Sequence, residues 1–193
     1  APFAHRIGMK FFKNYLMTWD KRSCKNVDKI LANSNFVQDR IQRVWGQQSD
    51  VVHPFVDLKD FTKKNNSKED YYLMVTAFAP NKRVDLAITA FNRMSKKLII
   101  IGTGQEEKRL KEMAGPTIEF KGSLSRNEVI SYFEKAKALI FPGVEDFGIT
   151  PLESLASETP VIAFKAGGVL ETLNSDVAEF FSDATVESLM GGG

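Results

Sequence analysis

Between Tyr71 and Phe164 the chain alternates short apolar runs with longer amphipathic stretches. Residues 71–75, 98–101, 117–120, 138–141 and 161–164 are largely apolar, too short for helices, and bounded by Gly, Pro or polar turns, so they read as buried strands. The stretches between them carry helical spacing. Val84, Ala87, Ile88 and Phe91 share one face, a helix is expected around residues 106–113, and Val129, Ile130 and Phe133 share another face. Ser125-Arg126-Asn127-Glu128 is a capping box that starts the last of these. A further helix is expected from about Val169. Regular strand–helix units with near-continuous apolar strands predict an α/β fold, a Rossmann-like parallel sheet with helices on both faces. In such a sheet ligands lie at the carboxyl ends of the strands.

Ahead of Tyr71 the pattern is looser. Phe11, Phe12, Tyr15, Leu16 and Trp19 recur at helical spacing, which suits a helix that buries its aromatics against a neighbour. The flanking Lys10, Lys13, Lys21 and Arg22 leave a membrane-surface helix open. A short strand is expected over residues 27–32, then a turn and cap at Asn33-Ser34-Asn35, with Gln38 able to answer Asn35. Val37, Ile41, Val44 and Trp45 mark a helix ending near Gly46, and residues 50–53 form another strand stopped by Pro54. Residues 56–70 are polar and lysine-rich and read as a linker, with Lys63-Lys64 solvated. This is the expected boundary between residues 1–55 and a domain spanning 71–193. The chain ends on Gly191-Gly192-Gly193 with no closing helix expected, as in a truncated piece or a cloning scar.

Composition narrows the classes. A net charge of +2 without a dense basic block gives no electrostatic footprint for nucleic acid. A single cysteine, Cys24, excludes an intrachain disulfide framework and fits a reducing compartment. His5 and His53 are far apart in sequence, and no cysteine cluster is present, so no metal site is expected. No run reaches transmembrane length and no secretory pattern opens the chain, so a cytoplasmic setting is expected.

The chemistry concentrates in one stretch. After the apolar run 138–141 come the breaker pair Pro142-Gly143, then Val144-Glu145-Asp146-Phe147-Gly148-Ile149, then Thr150-Pro151-Leu152-Glu153. Thr150 can cap a helix, Pro151 suits its first position, and Glu153 sits where a capping box places its glutamate. A strand tip, a glycine-bearing loop and a helix N-terminus make a site for an anion. Each residue has a bland reading too: Glu145 as a solvated acid, Glu153 as a cap, Gly148 as a turn. Upstream, Lys82 lies where a strand edge meets a helix start, and it can neutralise a phosphate. With Arg83 it forms a cation pair set against the helix dipole, which calls for an anion. Gly102-Thr103-Gly104 follows a strand, but Glu107 stands where the third glycine of a dinucleotide fingerprint belongs, so the nicotinamide fingerprint fails.

Glu145 and Glu153, with seven residues between them and Phe147-Gly148 and Pro151 placed as they are, resemble the donor-site motif of the retaining family 4 (group 1) glycosyltransferases, of GT-B architecture. Thr159-Pro160-Val161-Ile162-Ala163-Phe164-Lys165-Ala166-Gly167-Gly168 adds to the likeness, which covers roughly residues 25–190. It implies that residues 71–193 are the C-terminal, donor-binding half of the fold. Residues 1–55 would be the final elements of the N-terminal acceptor domain. It further implies Glu145 and Lys82 as catalytic residues. Donor contacts would come from Glu153 on the ribose, from Phe147, Gly148, Ile149 and Thr150, from Gly102 and Gly104, and from the backbone at Leu124. The donor would be a nucleotide-diphosphate sugar, with no separate cofactor or metal. The acceptor, a saccharide or a lipid-linked sugar, would be bound by the N-terminal domain, and peripheral contact with the inner face of a membrane is open for the full protein. One departure stands out. An arginine usually precedes the lysine by five residues, and Ala77 occupies that place. Alanine there, with Glu145-Asp146-Phe147-Gly148-Ile149, is similar to a subgroup resembling the mannosyltransferases of surface-polysaccharide assembly, which points to GDP-mannose. Two rivals remain: a catalytically silent nucleotide-sugar-binding domain, and another GT-B enzyme such as a sugar-nucleotide epimerase.

Overall fold

The computed structural model describes residues 3–61 and 67–191, with side chains from Phe12 onward. Expectations resting on His5, Lys10, Phe11, Lys63, Lys64 and the last two glycines lie outside what is described. The chain divides into two compact units, Ala1–His53 and Pro54–Gly193.

In the first unit, α1 (Phe3–Ser23) is followed by β1 (Leu31–Ala32), α2 (Asn35–Trp45) and β2 (Asp50–Val51). β1 and β2 pair in parallel, Leu31 opposite Asp50 and Ala32 opposite Val51, so the strand expected over 27–32 is reduced to its last two residues. α2 is capped by Ser34, one residue ahead of the expected Asn35; its Oγ accepts the Val37 N–H at 3.0 Å. Gln38 does not answer the cap, because its amide donates to the Ser49 carbonyl. Gly46 ends the helix as expected, in the left-handed region (φ 69°) that closes the last turn onto Gln42 O. The Trp45 indole N–H donates to Asp20 Oδ2 at 2.8 Å and ties α2 to α1. Phe12, Tyr15, Leu16 and Trp19 are exposed, so the neighbour expected to cover this face is not among the described residues of this chain. No helix among the described residues is long and apolar enough to cross a membrane.

The second unit is built on six parallel strands. They are β3 (Tyr72–Val75), β4 (Leu98–Ile101), β5 (Ile118–Gly122), β6 (Leu139–Phe141), β7 (Val161–Phe164) and β8 (Ala178–Phe181). Helices α3 (Val84–Met94), α4 (Glu107–Met113), α5 (Arg126–Lys135), α6 (Ile149–Ala156) and α7 (Val186–Gly191) complete it. The sheet runs β5-β4-β3-β6-β7-β8. The pattern of β4 shows why its strands read as unbroken apolar runs. Leu98 and Ile100 enter one core with Met74, Ile88, Phe91 and Leu110; Ile99 and Ile101 enter another with Leu73, Phe133, Leu139 and Phe141. A strand with both faces buried has no polar position to show. The capping box of α5 is formed, with Ser125 and Glu128 bonded reciprocally.

Three expectations change. The helix from Val169 is only a 3-10 turn, Gly168–Glu171, and the chain then builds β8 against β7. A closing helix does exist, since α7 carries Leu189 into the core and extends to Gly191. Part of the stretch expected as linker is also ordered: Leu58–Phe61 forms a 3-10 turn, and Phe61 is buried.

Because β3 and β6 are neighbours, the connection after β3 leads to one side of the sheet and that after β6 to the other. Loops diverge at this switch point and open a crevice at the carboxyl ends of the strands. Lys82 lies on the loop after β3, residues 145–153 on the loop after β6 and the helix it starts, and Gly102, Gly104 and Leu124 on the loops after β4 and β5 at the same ends of the strands.

Candidate functional site

The loop after β3 ends in a 3-10 turn, Pro80–Lys82, and Arg83 adopts a left-handed conformation (φ 52°) before α3 begins. Lys82 thus lies just ahead of the helix, between the strand and its start. Across the switch point, the loop after β6 carries Glu145. Lys82 Nζ donates to Glu145 Oε1, with about a fifth to a quarter of each side chain exposed (22% and 24%). The anion that the cation pair called for is therefore supplied by the protein itself; Arg83 takes Asp85, at 3.5 Å.

Glycines let these loops touch. A Cβ on Gly143 would stand 2.7 Å from Asn81 O and 3.0 Å from Lys82 Cα, so only a residue without one lets the β6 loop abut the Lys82 turn. Gly168 does the same on the far side, where a Cβ would fall 2.0 Å from Asp146 O. There the Gly168 N–H donates to Glu145 O at 2.9 Å and fixes the backbone that bears the carboxylate. Gly102 and Gly104 likewise make room for backbone, at Thr76 O and at Phe78. Their spacing reflects loop-on-loop contact within the rim.

Gly148 (φ 92°) turns the chain directly into α6, which starts at Ile149. Thr150 is consequently inside the helix and caps nothing, Pro151 is its third residue, and the expected Thr150–Glu153 capping box is absent. Proline is tolerated there because N–H groups of the first turn have no intrahelical partner in any case. Phe147 is buried at 4% exposure and anchors the loop, whereas Ile149 is exposed. Leu124, on the loop after β5, packs partly against the core that contains Phe133 and Phe141.

Freed from the cap, Glu153 takes another partner. Its Oε1 accepts from Arg126 Nη1 at 2.9 Å, and Arg126 Nε donates to Asp60 Oδ2 at 2.7 Å. The guanidinium also lies over the Phe61 ring, 5.6 Å from its centroid. The hydrogen bonds to Asp60 and Glu153 raise the Arg126 pKa further, so it stays charged at any working pH. Sequence reasoning missed Arg126, Asp60 and Phe61. Arg126 did carry one signal, as a cation at the first position of a helix, where the dipole disfavours it.

Ala77 is exposed, and Lys82 is the cation that faces Glu145. Among the described residues no three His, Cys, Asp or Glu side chains stand together as a metal site. Two carboxylates at the switch point, one paired with a lysine and one with an arginine, beside the start of α6, can bind an anionic group and grip hydroxyls.

The chain is similar to known proteins in sequence and in fold. Residues 56–190 match the family described as Glycosyl transferases group 1. The O-antigen chain mannosyltransferase RfbU of Salmonella typhimurium is 30% identical over 165 residues, covering 79% of this chain and 46% of that protein. A GDP-mannose-dependent alpha-mannosyltransferase of Mycolicibacterium smegmatis is 28% identical over 179 residues, covering 87% of this chain and 48% of its own length. The chain thus spans about half the length of these relatives. In fold it is similar to Anabaena Alr3699/HepE, solved in complex with UDP and glucose, with a TM-score of 0.75 and 18% identity over 85% of this chain and 52% of that one. Its matched residues and its doubly wound sheet place the chain in the group 1 glycosyltransferases, with the GT-B architecture and its likeness to mannosyltransferases.

Proposed function

We infer that the second unit binds the nucleotide-diphosphate sugar donor, GDP-mannose, for a retaining transfer of mannose to a saccharide or lipid-linked acceptor. The observation that carries this reading is the Lys82–Glu145 pair held across the switch point. In the reaction, the bond between the anomeric carbon and the diphosphate breaks, and its electron pair leaves on the diphosphate. The acceptor oxygen bonds to that carbon on the same face and passes its proton to the departing diphosphate oxygen. Charge grows on the diphosphate, where Lys82 and the N-terminus of α6 stabilise it. Positive charge grows on the sugar, where Glu145 stabilises it and grips a sugar hydroxyl. Donor binding therefore exchanges partners: the diphosphate takes Lys82, and Glu145 turns from the ammonium to the sugar. Glu153 accepts the ribose hydroxyls. GDP-mannose as donor rests on the named relatives and on the subgroup likeness around Ala77 and residues 145–149.

The acceptor is bound by an N-terminal domain to which residues 1–55 contribute. Its location is cytoplasmic, at the inner face of a membrane where the acceptor is lipid-linked. The chain alone is expected to bind donor and to transfer poorly, because closing two domains positions the acceptor and accounts for a large share of the rate.

Calorimetric titration with GDP-mannose, UDP-glucose, UDP-N-acetylglucosamine and ADP-glucose tests the reading. GDP-mannose should bind tightest; binding of none of the four would overturn a donor site here. A second reading, a nucleotide-sugar-binding domain without catalysis, is favoured by Ala77, which leaves Lys82 without the usual companion. Transfer by a full-length protein that contains this chain would exclude it.

A further inference from the structure

Arg126 is joined to three groups at once, and none of them is accounted for by packing or capping. It is the first residue of α5, where a positive charge opposes the helix dipole. The helix start itself is secured without it, by Ser125 and Glu128. An isolated pair on a surface would carry little meaning, but the two ends of this one differ. Half of the Arg126 side chain is exposed, against 18% for Glu153. Phe61, beneath the guanidinium, is buried at 6%. The ring below and Asp60 on the Nε edge fix the plane of the guanidinium, so that Nη1 points at Glu153.

We propose that Arg126, steadied by Asp60 and Phe61, is a positioning residue that presents the Glu153 carboxylate to the paired hydroxyls of the donor's ribose. Arg126 occupies one lone-pair direction of Oε1. Oε2 accepts no hydrogen bond from the described residues. Each carboxylate oxygen can accept two bonds, so Oε2 and the second direction of Oε1 remain for two vicinal hydroxyls. Arg126 also holds the carboxylate in one orientation before the nucleotide arrives, so that less freedom is lost on binding. The discrimination this provides is for ribose over deoxyribose, and it is read at a point remote from the reacting sugar. Asp60 and Phe61 lie some ninety residues ahead of Glu153 in sequence, on the short turn Leu58–Phe61. That turn is thereby part of the nucleotide site although it touches no nucleotide.

The inference rests on the donor-site reading, and the test separates the two. The chain is titrated calorimetrically with GDP and with 2′-deoxy-GDP, alongside the R126Q, R126K, D60N and R93Q variants. R93Q removes an exposed pair with Glu187 elsewhere on the unit and serves as the control. The unaltered chain should bind GDP about tenfold more tightly than the deoxy form, as expected for one charge-assisted hydrogen bond. In R126Q the ratio should fall below about threefold, R126K should restore part of it, and D60N should lower it two- to threefold. R93Q should leave it unchanged. If R126Q and D60N keep the full ratio, or lose affinity for both nucleotides equally, Arg126 is not a positioning residue and the donor-site reading survives. Should the unaltered chain bind neither nucleotide, both readings fall. Circular dichroism of each variant shows whether it is folded, and D60N decides the matter if R126Q is not.

Discussion

Replacing Gly143 with alanine isolates one physical effect at the centre of the site. Gly143 does not adopt a positive φ, so alanine carries no backbone penalty there; the whole effect lies in the new methyl group. That Cβ would stand 2.7 Å from Asn81 O, where ordinary contact begins at 3.4 Å. The loops after β3 and β6 would have to separate by about 0.7 Å. Overpacking of this kind costs typically about 1–3 kcal/mol. The contacting atoms are backbone, not the end of a flexible side chain, so the upper half of that range is expected. Affinity should respond less. The four-carbon stem of Lys82 can follow a shift of this size, so nucleoside diphosphate binding should weaken by less than about tenfold. Urea unfolding gives the first quantity and calorimetry with GDP the second. Gly46→Ala is the complementary case, because its Cβ would meet nothing within 4 Å while its φ of 69° penalises any side chain. It should cost about 1–2 kcal/mol through conformation alone and leave GDP affinity untouched. If Gly143→Ala unfolds within about 0.5 kcal/mol of the unaltered chain, close approach at Gly143 is not what brings Lys82 to Glu145.

Lys82→Ala should weaken GDP binding about tenfold to a hundredfold and guanosine binding hardly at all, as loss of one charge-assisted contact predicts; equal losses for both would reduce Lys82 to a partner of Glu145. Glu153→Ala should cost less than about 1 kcal/mol in urea melts, because its partner Arg126 is half exposed and keeps Asp60, and no helix cap is lost; a larger loss would mean that Glu153 supports the start of α6 after all. Glu145→Ala leaves the mostly buried Lys82 ammonium without its partner, so it should cost about 1 kcal/mol in urea melts, while sharply lowering turnover in a full-length enzyme that contains this chain, with GDP affinity nearly intact. The Glu128 carboxyl is held below its usual pKa, first by the Ser125 hydroxyl and then by the Ser125 N–H. Its contribution is therefore present above the ordinary glutamate pKa and lost as pH falls through the depressed folded value. The stability gap between the unaltered chain and Glu128→Gln should accordingly narrow on acidification below about pH 4.5, and a gap independent of pH would refute the capping role.

The central strands β3, β4, β6 and β7 were legible because burial on two faces leaves a run of apolar residues that no helix of that length could use, and the edge strand β5 was legible from its place between two helical patterns. β8 was not. It too lies at an edge, and it follows the polar residues 174–176 with the exposed Glu179 inside it, so no unbroken apolar run marks it. Glu145, Lys82 and Glu153 were found from their local setting, but their partners were not. Lys82 and Glu145 are 63 residues apart in sequence and meet only because β3 and β6 are neighbours. The Thr150–Glu153 spacing has the form of a capping box, and nothing local reveals that Gly148 turns the chain early enough to leave Thr150 inside the helix. The fate of Glu153 was decided by Arg126, 27 residues upstream, and by a turn in a stretch that read as linker. Local pattern reports which residues can do chemistry; strand order reports which of them meet.

The contacts made at Gly102, Gly104, Gly143, Gly167 and Gly168 all lie along one rim of the sheet, where each connection is wedged against the next. Thr76, Phe78, Asn81, Glu145 and Asp146 supply the opposing backbone. Such a rim cannot absorb an inserted residue in one connection without displacing its neighbour. The opposite rim is under no such constraint at turns such as 95–97 and 174–177, which are largely exposed. Chain length should therefore be free to drift at one end of the strands and be held fixed at the other, and a tag, a probe or a fused domain belongs at the turn that includes Lys96.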